Sequence, residues 1–86
     1  MDIVNEIKSY SEDKIVLGSK RTIKYLKLGK ISKVYVANNV PEEVLEDLKY
    51  YASLSNIEVK ETNLSNVEIG IVLKKPFKVS VIGILK

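Results

Sequence analysis

The chain has 86 residues, of which 45% are hydrophobic and 29% charged, a balance typical of a single soluble globular domain spanning residues 1–86. It contains neither cysteine nor histidine, which excludes disulfides, thiolate metal sites and Ser-His or Cys-His catalytic pairs, so we predict no enzyme activity, no metal and no cofactor. No apolar run approaches the roughly 20 residues of a membrane span, and the first residues are acidic where a secretory leader is basic, so we expect a cytoplasmic protein that does not bind membranes.

The charges fall in alternating blocks along the chain. The net charge is −3 from Met1 to Asp13, +7 from Lys14 to Pro41, −5 from Glu42 to Glu68 and +4 from Ile69 to Lys86. If the fold brings the two basic blocks together, the molecule has a positive face to which a polyanion would bind.

Apolar spacing predicts two helices and a strand at the start of the chain. The first helix runs to about Glu12 and carries apolar residues at helical spacing: Ile3, Val4, Ile7 and Tyr10. A short buried strand follows, Ile15 to Leu17. A second helix runs from its cap, Ser19, to about Leu28, with Gly29 as its stop. It turns three residues to the core: Thr22, Ile23 and Leu26.

The middle of the chain predicts a buried strand and the longest helix. The continuous apolar run Val34 to Ala37 suits a strand that is buried on both faces. Pro41 then opens a third helix, which Asn56 closes. Its core stripe consists of Val44, Leu45, Leu48, Tyr51 and Ala52. Its exposed acids are expected to be solubilising: Glu42, Glu43, Glu46 and Asp47.

The last third of the chain predicts two strands around a short helix. Alternation from Ile57 to Lys60 indicates a half-exposed strand at the sheet edge. The segment Ser65 to Glu68 matches a capping box, which predicts a fourth helix to about Leu73. A final strand runs from Val79 to Ile84. The alternation of helices and strands predicts an open α/β sheet with helices on both sides.

The second helix carries a row of cations. Lys20, Lys24 and Lys27 are spaced i, i+4, i+7 and form one ridge, with Arg21 beside it. Like charges at this spacing repel by a few tenths of a kcal/mol, so the ridge suits an anion, although a solvated lysine face is an equally good interpretation. Gly18-Ser19-Lys20 lacks the upstream glycine of a P-loop, which makes nucleotide hydrolysis a weak hypothesis.

Two more loops are candidate ligand sites. Asn38 and Asn39 follow a buried strand, at the edge where open α/β sheets bind ligands, although turn chemistry also accounts for them. The segment Lys74-Lys75-Pro76-Phe77-Lys78 places an aromatic ring among three cations, which can stack a base and hold its phosphate. This motif alone is weak evidence, and without it Phe77 would be predicted to lie in the core.

Several ordered segments together resemble one protein family. They are Gly18-Ser19-Lys20-Arg21-Thr22-Ile23-Lys24, Ala37-Asn38-Asn39, Glu46-Asp47-Leu48-Lys49-Tyr50-Tyr51-Ala52-Ser53-Leu54-Ser55, Val67-Glu68-Ile69-Gly70 and Lys75-Pro76-Phe77. In this order they resemble the archaeal and eukaryotic large-subunit ribosomal protein family numbered thirty-e, a branch of the superfamily that binds kink-turn RNA.

The resemblance implies a three-layer α/β/α sandwich with a four-stranded mixed sheet whose last strand is antiparallel to the others. It implies that three loops on one edge hold a sharply bent RNA, without covalent chemistry. The residues that it assigns to RNA binding are Gly18, Lys20, Arg21, Lys24, Asn38, Asn39 and Phe77. The ridge and the loops add four further predicted RNA-binding residues: Ser19, Lys27, Lys75 and Pro76.

The sequence therefore predicts a structural constituent of the large ribosomal subunit that binds ribosomal RNA, with other ribosomal proteins as further possible partners and a monomer when free. Two alternatives stay open. The chain could bind kink-turn RNA in another ribonucleoprotein, such as a guide-RNA or tRNA-processing particle. It could also be a protein-protein adaptor that uses its acidic third helix.

Overall fold

The protein is described from a computed structural model that covers the backbone of residues 3–86 and the side chains of residues 5–86. The elements in chain order are α1 (Ile3–Lys8), a 3-10 helix (Glu12–Lys14), β1 (Ile15–Leu17), α2 (Ser19–Lys27), β2 (Ile31–Val36), α3 (Glu42–Leu54), β3 (Val59–Glu61), α4 (Asn66–Val72) and β4 (Val81–Leu85). The predicted alternation of helices and strands is confirmed. The predicted core positions Ile3 and Val4 lie outside the described side chains.

The four strands form one mixed sheet in the order β1-β4-β2-β3. β4 pairs antiparallel with both β1 and β2, whereas β2 and β3 are parallel. The last strand of the sequence is therefore a central strand and runs against the other three. The short β1 and β3 lie at the two edges. The predicted sheet type is confirmed.

Helices cover both faces of the sheet and complete the three layers. One face packs against α1 and α4 through a cluster centred on Ile7, Tyr35, Ile69, Ile82 and Ile84. The other face packs against α2 and α3 through a cluster centred on Leu26, Val34, Leu48, Ala52 and Val81. All four residues of the run Val34 to Ala37 are buried, which confirms a strand that is buried on both faces.

A carboxylate fastens α1 to the sheet. Glu6 Oε1 accepts hydrogen bonds from the Tyr35 hydroxyl at 2.7 Å and from Lys33 Nζ at 3.0 Å, and Lys60 Nζ lies 3.2 Å from Glu6 Oε2. The bond from Tyr35, followed by those from the two lysines, lowers the pKa of Glu6 from 4.5 to about 2. Burial of Tyr35, and then its bond to Glu6, raises the pKa of the phenol. α1 is thus clamped by charge onto both β2 and β3.

Three helices end in the same left-handed turn. In a Schellman motif the residue after the C-cap takes a positive φ, and the next backbone N–H bonds to a carbonyl of the last turn. The positive-φ residues are Gly29 after α2 (φ 71°), Asn56 after α3 (φ 59°) and Lys74 after α4 (φ 58°). The following residues close the motifs: Lys30 N to Tyr25 O, Ile57 N to Ala52 O and Lys75 N to Gly70 O, each at 2.9 Å. The left-handed residue is glycine after α2 and asparagine after α3, but lysine after α4.

The helix starts follow the sequence with one exception. The capping box of α4 is confirmed, because Ser65 Oγ accepts from Glu68 N and Glu68 Oε1 accepts from Ser65 N. The prediction that Ser19 caps α2 is wrong. Gly18 occupies the cap position with φ 100°, a conformation that disfavours any side chain, and Ser19 is the first helical residue.

Some element boundaries also differ from the prediction. α1 ends at Lys8 rather than near Glu12, because the Ser9 hydroxyl donates to Glu6 O at 2.6 Å and Tyr10 N turns to Ile7 O instead. β2 begins at Ile31, since the strand contains an irregularity between Ile31 and Lys33 that interrupts the apolar pattern. β3 and β4 each begin two residues later than predicted.

Candidate nucleic-acid interface

Three loops meet at the edge of the sheet where β1 and β2 end and β4 begins. Gly18 N donates to Val81 O, and Ala37 N donates to Ser80 O, both at 2.9 Å. Because β4 is antiparallel to its two neighbours, its first residues lie beside the last residues of both. We call this edge the rim and define it by residues 18–21, 38–39 and 75–80.

A groove on the rim joins the first and third loops. Gly18, Arg21 and Phe77 line one cavity of about 370 Å³, together with Lys75 and Lys78. Phe77 is 54% exposed, so it is not a core residue. Arg21 and Lys78 make no ion pair with the described residues, whereas Lys75 Nζ lies 3.4 Å from Glu12 Oε1. The groove therefore offers an open aromatic ring between cations, with one acid on its wall.

The backbone of α4 supports the loop that carries Phe77. A Cβ built on Gly70 would lie 2.3 Å from the carbonyl oxygen of Phe77 and 3.6 Å from the Cα of Lys78. One turn earlier, Asn66 O accepts from Val79 N at 3.0 Å. The backbone of α4 thus determines the position of the loop that carries Phe77. No sequence signal pointed to this role, because a glycine inside a predicted helix does not reveal what packs on it.

The two asparagines of the second loop hold a neighbouring loop in place. Asn39 Nδ2 donates to Asn66 Oδ1, and Asn39 Oδ1 accepts from Asn66 N, both at 3.0 Å. Asn38 Nδ2 donates to Asn63 O at 3.3 Å. Both side chains remain exposed. They join the end of β2 to the start of α4. The sequence analysis did not identify Asn66 as part of the site, because its position in the capping box already explained why an asparagine stands there.

The cationic ridge extends away from the rim along α2. Lys20, Arg21 and Lys24 are exposed. At about 1.5 Å of rise per residue, Lys24 lies roughly 6 Å and Lys27 roughly 10 Å beyond Lys20. Lys27 Nζ lies 4.9 Å from the ring centroid of Tyr51 on α3, and this ring is half-buried rather than fully buried as predicted. Lys20 and Arg21 therefore lie at the rim, Lys24 lies about one turn beyond it, and the exposed Lys27 contacts the Tyr51 ring of α3.

Negative charge follows the second loop of the rim along α3. α3 begins at Glu42, three residues after Asn39, and four acids on it are exposed as predicted: Glu42, Glu43, Glu46 and Asp47. A polyanion is therefore attracted by the exposed cations of α2 and repelled by the exposed acids of α3. Among the described residues, no cluster of three or more acids, histidines or cysteines could hold a metal ion. No helix within residues 3–86 is long and apolar enough to cross a membrane.

Comparison with known proteins identifies the family. A family model described as the ribosomal protein L7Ae/L30e/S12e/Gadd45 family matches residues 2–86. The chain belongs to this family. The family resemblance predicted from the sequence is thereby confirmed.

Relatives of this L7Ae-family chain are named as ribosomal proteins. The large ribosomal subunit protein eL30 of Methanocaldococcus jannaschii is 43% identical over 86 residues, which cover 99% of the chain and 78% of the relative. The eL30 of Methanothermobacter thermautotrophicus is 52% identical over 65 residues, which cover 76% of the chain and 66% of the relative. Because these relatives are ribosomal proteins, the prediction that the chain is not an enzyme is confirmed.

Solved structures share the fold of this family member at low identity. A protein of unknown function from Bacillus halodurans superposes with a TM-score of 0.78 at 18% identity, covering 86% of the chain and 73% of that structure. A 15.5 kD RNA binding protein from Giardia lamblia superposes with a TM-score of 0.76 at 20% identity, covering 86% of the chain and 62% of that structure. These likenesses support the α/β/α fold.

Proposed function

We propose that this L7Ae-family chain is a constituent of the large ribosomal subunit that binds kink-turn-type ribosomal RNA through the three loops of the rim. The observation that carries the proposal is the convergence of Arg21, Asn39 and Phe77 on one edge, although they lie far apart in the sequence. The names of the eL30 relatives support the ribosome, and hence the cytoplasm, as the place of action.

Each loop has a distinct task in this proposal. Lys20, Arg21 and Lys24 neutralise phosphates along α2. A Cβ built on Gly18 would have no heavy atom within 4 Å, so RNA backbone can approach this residue closely. Asn38 and Asn39 brace the rim and offer their remaining donors and acceptors to the RNA.

Phe77 supplies the preference for a bent RNA. Its exposed ring can stack on a base only if that base is unpaired and turned out of its helix. A straight duplex offers no such base at its centre, whereas a sharply bent internal loop extrudes one. Lys75 and Lys78 line the same groove, and their ammonium groups can neutralise nearby phosphates.

A salt titration tests the proposal. With about five phosphate contacts, log affinity for a kink-turn RNA should fall against log salt with a slope of roughly −4. A straight duplex of equal length should bind much more weakly. Equal affinity for the two RNAs, or a flat salt response, would rule out bend-specific recognition.

Charge reversal at the ridge is a second test, with a single reversal at Lys30 for comparison. Replacing Lys20, Arg21 and Lys24 with Glu should abolish RNA binding and cosedimentation with large subunits at high salt. Lys30→Glu should have a far smaller effect, because Lys30 precedes β2 at the end of the sheet opposite the rim. If the triple variant still assembled into subunits, the RNA-binding role of the ridge would be wrong.

A further inference from the structure

A second groove lies beside the rim, along the free edge of β1. It encloses about 400 Å³, and its apolar wall includes Ile15, Leu17 and Leu73. Lysines from two helix ends surround it: Lys8 from α1, and Lys74 and Lys75 after α4. We call this the edge groove. Its volume is within the range of sites that hold a nucleotide-sized ligand.

The edge groove is continuous with the groove of the rim. Both cavities share the side chains of Glu12, Ile15, Leu17 and Lys75. A polymer seated against Phe77 therefore has an open path along β1 toward Lys8. Among the described residues, Glu12 is the one acid on the walls of either cavity, and it is opposed by Lys75 at 3.4 Å. The path carries a positive surplus from Lys8 and Lys74, which suits a phosphate backbone.

The conformation of Lys74 singles out this groove. The left-handed residue is glycine after α2 and asparagine after α3, the two residue types that adopt this conformation most readily. After α4 it is a lysine, whose side chain lines the edge groove. A non-glycine residue in a left-handed conformation at a surface groove is a reason to look for a ligand that the side chain contacts.

We propose that the edge groove binds an unpaired stretch of the same RNA that the rim holds, with bases against the apolar wall and phosphates against Lys8 and Lys74. The inference rests on the proposed RNA-binding function and extends it to a second, single-stranded segment. Single-stranded RNA fits both features of the groove, because its unstacked bases can cover apolar surface while its backbone meets the cations.

Binding to paired RNA designs tests the inference. The parent is a kink-turn RNA, and the derivatives carry four added unpaired uridines in one strand or the other of the internal loop. One derivative should bind wild-type protein about fivefold or more tightly than the parent. Its salt dependence should be steeper by about 1.4, for two additional single-strand phosphate contacts. A 4-thiouridine in the added stretch should crosslink to residues of the edge groove.

Variants separate the groove from the rim. Lys74→Asn keeps a residue suited to the left-handed turn and removes the charge, so it should abolish most of the gain and lower the affinity for the parent RNA far less. Lys74→Arg should retain the gain. Lys30→Ala removes one charge at the opposite end of the sheet and should change neither affinity. Lys74→Asn should also raise the melting temperature, by roughly 4 °C, because the strain is relieved.

The outcomes are distinct for the two proposals. If the parent RNA binds in preference to a straight duplex but neither derivative gains affinity, the edge groove is not an RNA site and the rim proposal stands. If a derivative gains affinity equally in wild type and Lys74→Asn, the groove is again excluded. If the parent RNA shows no preference over the duplex, both proposals fail. An unchanged melting temperature in Lys74→Asn would remove the strain argument and count against the inference.

Discussion

Gly70→Ala would move the Phe77 loop without touching any rim side chain. The new Cβ would lie 2.3 Å from the carbonyl oxygen of Phe77, whereas carbon and oxygen atoms in contact normally lie about 3.3 Å or more apart. The loop must therefore shift by roughly 1 Å, since the obstacle is backbone and has no rotamer to change. Overpacking of this kind destabilises the folded protein by about 1–3 kcal/mol, whereas the higher helix propensity of alanine stabilises it by about 1 kcal/mol. The net loss of stability should be at most about 2 kcal/mol.

The effect on RNA binding should exceed what stability alone predicts. Loss of a base stacked on Phe77 removes about 1–3 kcal/mol, so affinity for a kink-turn RNA should fall roughly tenfold or more. Urea unfolding and fluorescence anisotropy measure the two effects separately.

Gly29→Ala is the matched control for this glycine substitution. Gly29 has φ 71° and no heavy atom within 4 Å of a Cβ position, so alanine there is destabilising through its backbone alone, by about 1–2 kcal/mol. It lies at the end of the molecule away from the rim and should leave affinity unchanged. Our account of α4 as the support of the Phe77 loop would be refuted if Gly70→Ala bound RNA like wild type, or if both variants lost affinity equally.

Three further substitutions give separate tests. Phe77→Ala should reduce affinity for a kink-turn RNA about tenfold and leave the melting temperature nearly unchanged, since the ring is 54% exposed; a large loss of stability would instead mark it as a packing residue. Thr22→Val should raise the free energy of unfolding by about 1 kcal/mol, because the fully buried Thr22 hydroxyl finds no hydrogen-bond partner among the described residues. If urea unfolding showed the variant to be less stable than wild type, the hydroxyl would have a hydrogen-bond partner after all. Glu6→Gln should flatten the acid limb of the stability profile. The pKa of Glu6 is lowered from 4.5 to about 2, so the stability that this carboxylate gives the folded protein is present above pH 4.5 and is lost as the pH falls toward 2. An unchanged pH profile of stability in the variant would show that Glu6 does not cause the loss of stability in acid.

Much of the fold could be predicted because local signals agreed with the final packing. The run Val34 to Ala37 is apolar throughout and is buried on both faces, and the capping box at Ser65 forms as its pattern requires. The predicted end of α1 was wrong because a side chain there competes with the backbone for a hydrogen-bond acceptor. Ser9 takes the carbonyl that would have continued α1, a choice that hydrophobic spacing does not encode.

The candidate site was predictable as a set of loops but not as a set of contacts. Charge spacing identified the ridge on α2, and the aromatic ring among lysines identified the third loop. The pairing of Asn39 with Asn66, and the packing of Gly70 under Phe77, join residues whose proximity depends on the whole fold. The salt bridge of Lys75 to Glu12 is of the same kind, since it spans 63 positions of the chain.

The central position of β4 makes the arrangement of the basic loops depend on a single strand. Within the described part of the chain, β1 and β2 do not pair with each other, and the sheet joins them through residues 81–85. A nascent or truncated chain that lacks this strand has neither a continuous sheet nor a meeting point for its basic loops. Under the proposed function, a chain without residues 81–85 should therefore keep its lysines and still fail to bind RNA, because no strand would hold its basic loops side by side.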